Sequence, residues 1–185
     1  KAAAQGHAGA QNNLGTLYHQ GEGVAQDVTA AREWFEKAAA QGHAQAQYNL
    51  GILYKQGKGV AQDFTAARKW YEKAAAQGHA GAQNSLGVLY HNGEGVPEDF
   101  TAAREWFEKA AAQVDAHAQY NMGVLYDKGK GVAQDFTAAR EWYEKAAAQG
   151  LAHAQNALGT PYDHGKGVAQ DFTAAREWYE KAAAQ

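Results

Sequence analysis

Eight histidines are the residues of this 185-residue chain that most readily suggest chemistry, since imidazole binds metal ions and transfers protons. Three of them, His7, His43 and His79, recur at 36-residue intervals. They stand at predicted helix starts, where capping the helix or filling a connection explains them better than metal binding. His153 and His164 lie about 16 Å apart along one predicted helix, too far to share an ion. A pair made by His117 and His153 stays open, but we predict no metal and no cofactor.

A second candidate chemistry is phosphate binding by the sequence "GKG", which contains Lys58, Lys130 and Lys166. No Ser or Thr follows the lysine and no predicted strand precedes it, so the pattern indicates a tight turn. Five aspartates precede predicted helices, where N-caps are expected rather than catalytic acids. They are Asp27, Asp63, Asp99, Asp135 and Asp171. Because no nucleophile, base and orienting group recur together, we predict that the chain is not an enzyme.

Composition narrows the classes of partner. The formal net charge of −3 argues against nucleic acid, whose phosphates require a basic surface. No apolar run approaches the roughly 18 residues of a membrane span, so we expect a soluble protein that does not bind through the membrane. The absence of cysteine removes disulfides and thiolate sites, and it leaves bacterial cytoplasm and periplasm equally open.

All of these residues belong to a repeat of 36 residues. The five tryptophans keep this interval without a slip: Trp34, Trp70, Trp106, Trp142 and Trp178. A hairpin of 36 residues cannot bury its own apolar face, but stacking copies produces a continuous core. We therefore predict a single repeat domain over residues 1–185. Its units are 1–36, 37–72, 73–108, 109–144 and 145–180, and residues 181–185 begin a sixth.

Each unit is predicted to hold two helices. The first runs from about Ala8 to Gln20, with apolar residues on one side. The second follows the Asp27 cap and stops at Gly42, which can adopt the positive φ that ends a helix. Within it, two opposite-charge pairs are expected four residues apart, Arg32 with Glu36 and Glu33 with Lys37. The loop "GEGVAQD" joins the helices, and its glycines permit the turn.

The unit resembles a known repeat. "LGxLY", "GxGV" and "WFEKAA" or "WYEKAA" recur at the spacing of the Sel-one-like repeat family, relatives of the tetratricopeptide repeats. This resemblance covers the whole chain. It implies an all-α, right-handed α/α superhelical solenoid that acts as a scaffold for protein partners, with the first helices lining a concave face. Some bacterial relatives join each helix pair with a disulfide, which this cysteine-free chain cannot do.

Variation among the five units falls on one stripe of the first helix, which we call the first-helix stripe. On a helical projection, Gly9, Asn12, Asn13, Thr16 and Gln20 cluster within about 100°. The corresponding residues are Gln45, Tyr48, Asn49, Ile52 and Gln56 in the second unit, Gly81, Asn84, Ser85, Val88 and Asn92 in the third, His117, Tyr120, Asn121, Val124 and Lys128 in the fourth, and His153, Asn156, Ala157, Thr160 and His164 in the fifth.

The chemistry of the stripe suggests peptide binding. Side-chain amides both donate to and accept from a peptide backbone, and aromatic rings are favoured in contact patches. Only Lys128 carries a full charge, whereas a drifting exposed surface would collect Lys and Glu. The predicted peptide-binding residues are Asn12, Asn13, Gln45, Tyr48, Asn49, Gln56, Asn84, Asn92, His117, Tyr120, Asn121, Lys128, His153, Asn156 and His164. An architectural array without a ligand, or less favourably a cell-wall ligand binder or hydrolase, stays an alternative.

Two departures from the repeat predict local changes. Val114 replaces the glycine of the other units, and a β-branched residue disfavours positive φ, so we expect it to leave the left-handed region. Pro161 replaces Leu17, Leu53, Leu89 and Leu125 within a first helix, where we expect a kink or fraying. The terminal helices have uncovered faces, which predicts head-to-tail self-association of the array.

Overall fold

The computed structural model of the chain describes residue 3 and residues 5–185, which contain ten α-helices and no strand. In chain order the helices are α1 Ala8–Gln20, α2 Val28–Ala40, α3 Ala44–Gln56, α4 Phe64–Ala76, α5 Ala80–Asn92, α6 Phe100–Ala111, α7 Ala116–Lys128, α8 Phe136–Ala147, α9 Ala152–His164 and α10 Phe172–Ala183. The predicted two helices per repeat are confirmed. Residues 1, 2 and 4 of the opening "KAAAQ" lie outside the described residues.

Side chains at the predicted positions cap most of these helices. Asp27 Oδ1 accepts the Ala30 amide at 2.9 Å, and the other four recurring aspartates cap their second helices in the same way. His43 Nδ1 accepts the Ala46 amide at 3.3 Å, so the repeated histidine is a cap. Asp115 takes over this role in α7, while Leu151 leaves α9 without a side-chain cap bond.

The "GKG" sequence forms the expected tight turn. Gly57 and Gly59 both have φ of 67°, a conformation that side chains disfavour. The Gly57 amide donates to the Leu53 carbonyl and closes the end of α3. Farther along the loop, the Asp63 amide donates to the Tyr54 carbonyl at 2.9 Å, which brings the cap of α4 back beside α3.

The chain divides into two compact units, residues Lys1–Glu98 and Asp99–Gln185. Helices α1 to α5 belong to the first and α6 to α10 to the second, and within each unit every helix packs against the next. One core cluster joins Ala31 and Phe35 of α2 to Leu50 and Leu53 of α3, all at most 3% exposed. Adjacent repeats therefore share their core, as the stacking argument predicts. The single repeat domain over residues 1–185 stays a prediction.

A glycine in the middle of the first helix lets the two helices of a repeat approach closely. A Cβ on Gly15 would lie 2.7 Å from the Phe35 ring, and one on Gly123 would lie 2.5 Å from the Tyr143 ring. Real Cβ atoms do not approach carbon atoms so closely. The glycine of "LGxLY" is therefore a packing requirement, because the aromatic ring of the second helix occupies the space of a side chain.

The expectation for Val114 is wrong. Val114 has φ of 63° and stays in the left-handed region, as Gly42 and Gly78 do. Its amide donates to the Ala111 carbonyl at 2.9 Å, and the next amide donates to Ala110 at 3.2 Å, which repeats the bonds around Gly42. These helix-ending bonds and the packing of α6 on α7 hold the conformation despite the β-branched side chain.

Pro161 does not break its helix, contrary to the expected fraying. α9 runs without interruption over Ala152–His164, thirteen residues like the other first helices. The proline stands in the last turn, so only one internal hydrogen bond is lost, and the Gly165 amide still closes the helix on the Pro161 carbonyl. Buried Leu158, one turn earlier, anchors the helix.

The two predicted ion pairs of the second helix have different outcomes. Arg32 Nη1 lies 3.5 Å from Glu36 Oε1, which confirms the first pair. Lys37 does not pair with Glu33; its Nζ lies 4.1 Å from the centre of the Trp34 ring. The equivalent lysine of every repeat makes the same contact. The aromatic face attracts the ammonium group more effectively than a solvated carboxylate does.

Candidate functional site

The residues of the predicted site lie on α1, α3, α5, α7 and α9 and differ in exposure. Asn12 is buried, with only 7% of its surface exposed, so it has little surface for a ligand. The half-buried members are Tyr48, Asn49, Asn84, Tyr120 and Asn121. The exposed members are Asn13, Gln45, Gln56, Asn92, His117, Lys128, His153, Asn156 and His164.

Amide side chains of the stripe form a hydrogen-bonded row in the first unit. Asn49 Nδ2 donates to Asn12 Oδ1 of the preceding repeat at 3.1 Å. Gln45 Nε2 donates to Asn49 Oδ1, also at 3.1 Å, and so lies next in the row. The row continues to the third repeat, since His79 Nδ1 accepts a backbone amide and its Nε2 therefore donates to Gln45 Oε1 at 3.0 Å. The stripe thus links neighbouring first helices and orients their amides.

Two tyrosines of the stripe lie against aromatic neighbours. The Tyr48 ring is stacked on His79 at 4.6 Å between centroids and tilted against Tyr71 at 5.9 Å. Tyr120 in the second unit lies against the equivalent ring of Tyr143 at 5.6 Å, but its other aromatic neighbour is His153 at 6.3 Å and edge-on, because Leu151 stands at the position of His79. These contacts hold both tyrosine rings in half-buried positions. Each ring is therefore part of an aromatic surface between neighbouring helices.

The polar ends of the stripe make local contacts. Lys128 Nζ lies 2.8 Å from Asp127, which raises the pKa of Lys128 through the hydrogen bond and the opposite charge. His164 Nδ1 lies 3.1 Å from the Thr160 carbonyl oxygen, and Asn92 Nδ2 donates to Glu94 at 3.2 Å. No cluster of three or more His, Cys, Asp or Glu side chains that could hold a metal ion occurs among residue 3 and residues 5–185.

Cavities open along the stripe where successive first helices meet. One of about 190 Å³ lies between α1, α2 and α3, and one of about 310 Å³ lies between α7, α8 and α9. Stripe residues in the first are Thr16, Gln20, Asn49 and Ile52; those in the second are Tyr120, Val124, Lys128, Asn156, Ala157 and Thr160. A third cavity, of about 390 Å³, includes His153 and lies beside α10. Variable positions of the stripe therefore contribute to the walls of these three cavities.

A row of buried glutamines was not anticipated from the sequence. Gln47 is 5% exposed, and its Nε2 donates to the Ala39 carbonyl of the preceding repeat at 3.3 Å. Its Oε1 accepts from Gln77, which follows the second helix of the same repeat, at 2.8 Å. The same Gln-to-Gln bond joins Gln41 to Gln11, Gln149 to Gln119 and Gln185 to Gln155. At Gln47 and Gln155 this glutamine ladder connects three successive helices, because Gln155 Nε2 also donates to the Ala147 carbonyl of the preceding helix.

A buried tyrosine hydroxyl beside the stripe was also missed. Tyr71 is 1% exposed, and its hydroxyl lies near the Ser85 side chain, which lowers the pKa of Tyr71. Burial is the main reason that the pKa of Tyr71 is raised, and the nearby Tyr48 adds to the effect. The phenol is therefore neutral and can donate. Its signal in the sequence is the alternation of Phe35, Tyr71, Phe107 and Tyr143 at one repeat position.

Among residue 3 and residues 5–185, no helix combines the length and the apolar character that crossing a bilayer requires.

Comparison with known proteins identifies the repeat. The sequence pattern of the Sel1 repeat matches residues 8–43, 44–79, 80–115, 116–151 and 152–185. None of the curated proteins compared with the chain matches it.

Solved structures agree with this match. A Sel1 repeat protein from Oxalobacter formigenes is 38% identical, with a TM-score of 0.93 over 100% of this chain and 73% of its own. A protective antigen of uropathogenic Escherichia coli that displays an SLR fold is 44% identical, with a TM-score of 0.90 over 98% of this chain and 39% of its own. The chain thus spans about two fifths of that antigen.

A more distant likeness concerns the fold alone. An immunity protein of Pseudomonas aeruginosa is 23% identical, with a TM-score of 0.69, and the match covers 100% of this chain and 70% of that protein. The family pattern over five consecutive repeats and the two closer structures settle the assignment: this all-α repeat chain belongs to the Sel1 repeat family.

Proposed function

We propose that the chain is a peptide- or protein-binding scaffold whose ligand lies along the first-helix stripe. The observation that carries the proposal is the coincidence of the stripe with the concavities, since the residues that vary between repeats form the walls of the cavities at the α1–α3 and α7–α9 junctions. Positions that only hold the repeat together do not vary in this way. The two compact units each carry a portion of the stripe.

The chemistry of the stripe fits an extended peptide. The Asn49 and Gln45 amides are held in fixed orientations by their neighbours, and a peptide backbone can bond to their remaining donors and acceptors. Tyr48 and Tyr120 offer rigid, half-buried rings for ligand side chains. Asn12 serves this surface indirectly, because it positions Asn49.

The same chemistry sets the expected strength of binding. Few contacts offset the ordering of a flexible ligand, so we expect affinities of about micromolar. Because most stripe residues are uncharged, affinity should depend only weakly on salt concentration. A nucleic-acid ligand would instead show the steep dependence that follows counterion release.

The experiment is a peptide-library screen of the 185-residue chain and of a variant combining Tyr48→Asn and Tyr120→Asn. Asparagine occupies this position in three of the repeats, as Asn12, Asn84 and Asn156, so the substitutions are compatible with the fold. Selected peptides should bind the variant at least about fivefold more weakly, as expected for removal of an aromatic anchor. Unfolding curves of both proteins provide the control for stability.

A matched control is the exchange of two exposed residues away from the stripe, Glu33→Gln and Glu105→Gln, which should leave affinity unchanged. If the selected peptides bind the stripe variant as tightly as the original chain, the stripe is not the binding surface. A screen that yields no peptide at all would favour an architectural array.

A further inference from the structure

The cavity between α7, α8 and α9 differs from the equivalent junction of the first unit, which lies 72 residues earlier. It has a volume of about 310 Å³, within the usual range of pockets that bind small ligands. Its walls combine the rings of Tyr120, Phe136 and Tyr143 with polar groups at the rim. Three differences, involving four substitutions and described in turn below, distinguish this junction from its counterpart.

The first difference concerns a buried hydroxyl. In the first unit, the Ser85 hydroxyl lies close enough to the Tyr71 hydroxyl to lower the pKa of Tyr71. In the second unit, Ala157 replaces that serine, and Tyr143 has no hydrogen-bond partner among the described residues although it is only 6% exposed. Burial raises the pKa of Tyr143, and the neighbouring Asp127 raises it further, so the phenol keeps its proton. An unpartnered donor therefore stands in the wall of the cavity.

The second difference concerns volume. Leu89 fills the first unit's junction and is completely buried. Its counterpart is Pro161, a smaller side chain that lines the cavity and is half-buried. Together with Ala157, it removes side-chain volume on the α9 side of the cavity, which Phe136 and Tyr143 line on the α8 side.

The third difference concerns charge at the rim. In the first unit, Lys55 Nζ and Glu94 Oε2 lie 3.5 Å apart and span the junction. Asp127 and Lys166 hold these positions in the second unit with the charges exchanged. They form no ion pair, since Asp127 pairs with Lys128 at 2.8 Å, while exposed Lys166 lies 5.9 Å from the Phe136 ring. Lys128 offsets the Asp127 charge only in part, since Asp127 still raises the pKa of Tyr143, and the Lys166 ammonium group is left for an anion.

We propose that this cavity receives a single apolar side chain of a bound peptide, with an adjacent carboxylate held by the Tyr143 hydroxyl and the Lys166 ammonium. This inference rests on the proposed function and specifies the anchor that the stripe selects. The apolar walls take the side chain, and the two donors complement the negative charge. The carboxylate is either that of an Asp or Glu side chain or that of a peptide C-terminus.

The test uses fluorescently labelled peptides of about ten residues in a Gly/Ser background. One carries Leu-Glu internally, and matched peptides carry Leu-Gln or Ala-Glu. Another pair ends in leucine with a free carboxylate or an amide. We expect the free acid or the Leu-Glu peptide to bind at least about tenfold more tightly than its neutral partner, as a hydrogen bond to a charged group would give. The pair in which the acidic peptide binds more tightly than its neutral partner identifies the source of the carboxylate.

Four variants examine the site without disturbing the repeat, because each introduces a residue type that the chain already uses or a neutral analogue. Pro161→Leu restores the residue of the other repeats and should weaken binding about tenfold while raising the melting temperature. Tyr143→Phe removes the free hydroxyl, Ala157→Ser supplies it with a partner, and Lys166→Gln removes the positive charge. Each of the three should weaken binding about threefold or more. Tyr71→Phe and Lys58→Gln are the matched controls in the first unit and should leave affinity unchanged.

The outcomes separate the two proposals. Equal affinities for acidic and neutral peptides, or full binding by Pro161→Leu, would overturn the assignment of this cavity. If library peptides nevertheless bind and depend on Tyr48 and Tyr120, the stripe function stands and only the anchor is wrong. If no peptide binds the original chain, both proposals fail together.

Discussion

At the residue scale, the glutamine ladder is a buried polar contact that recurs from repeat to repeat. Gln47 bonds both to the Ala39 carbonyl and to Gln77, although it is only 5% exposed. A buried amide of this kind stabilises the fold only when all its partners are present, because each one left without a bond keeps its full desolvation cost. The ladder therefore makes each junction sensitive to a single side chain.

Gln47→Ala should lower the free energy of unfolding by about 1 to 3 kcal/mol, because Gln77 and the Ala39 carbonyl lose their partner inside the junction. Chemical denaturation measures the change. Gln56→Ala, at an exposed position of the same helix, should change stability by less than about 0.5 kcal/mol and serves as the control. Equal effects at the two positions would show that the ladder does not stabilise the fold.

Val114→Gly should stabilise the chain by about 1 kcal/mol, since Val114 has φ of 63° and glycine adopts that conformation without the clash of a Cβ. The Val114 side chain is 61% exposed, so little packing is lost. The measurement is the midpoint of thermal unfolding. The reverse exchange, Gly42→Val, should lower it, and a Val114→Gly midpoint at or below the original value would contradict the argument.

Residues whose role depends on their own helix could be predicted from sequence, whereas those that depend on a neighbour could not. Asp27 and His43 were identified as caps because a cap acts on the following turn. Gln11 was missed, since an amide on a helix is equally compatible with water. Its helical projection lies about 20° from Tyr18, on the apolar side, and that position was the available signal.

At the element scale, the glycine in each first helix sets how closely the paired helix can pack. The Tyr143 ring lies where a side chain of Gly123 would be, so α7 and α8 meet through backbone and ring. Such contact also brings Tyr143 to the wall of the α7–α9 cavity. Helix packing and the candidate anchor thus depend on the same glycine.

Gly123→Ala should destabilise the chain by about 1 to 3 kcal/mol, because the added methyl group overpacks the junction by more than the higher helix propensity of alanine offsets. Denaturation of the variant measures the change, and His117→Ala on the exposed side of α7 is the control. A Gly123→Ala protein of unchanged or greater stability would show that the helices can separate at little cost.

Helix bounds followed from local signals, but the two departures from the repeat did not. Local rules predicted that Val114 leaves the left-handed region and that Pro161 kinks or frays its helix. In the structure, the bonds that end α6 and the buried Leu158 of α9 outweigh these local preferences. The same distinction applies to the candidate site. Sequence variation was enough to predict the stripe, whereas the cavity could not be predicted because it depends on the relative positions of α7, α8 and α9.

At the scale of the whole molecule, the first and last helices of the 185-residue chain carry exposed apolar residues. Leu17 is 38% exposed, whereas its counterparts Leu53 and Leu89 are at most 1% exposed. Phe172 on α10 is 65% exposed, beside a cavity of about 380 Å³ that also includes Tyr179. The two exposed surfaces carry the same types of apolar residue that pack against each other where two repeats meet. They should therefore be complementary.

We therefore expect the isolated 185-residue chain to associate head to tail as its concentration rises. Leu17→Gln and Phe172→Gln should each reduce the association, because they place an amide in an apolar junction. Light scattering over a concentration series up to about millimolar measures it. Exchange of exposed Glu141 for Gln is the control, and scattering by the original chain that stays monomeric throughout would contradict the expectation.

The glutamine ladder also has a consequence for how such a gene can change length. Four described ladder bonds join the same residue types thirty positions apart, from Gln41 to Gln11 through Gln185 to Gln155. Unequal recombination between repeats adds or removes multiples of 36 codons and preserves every such pairing. A gained or lost repeat therefore meets neighbours with matching donors and acceptors, and new stripe residues can arise on a chain that already folds.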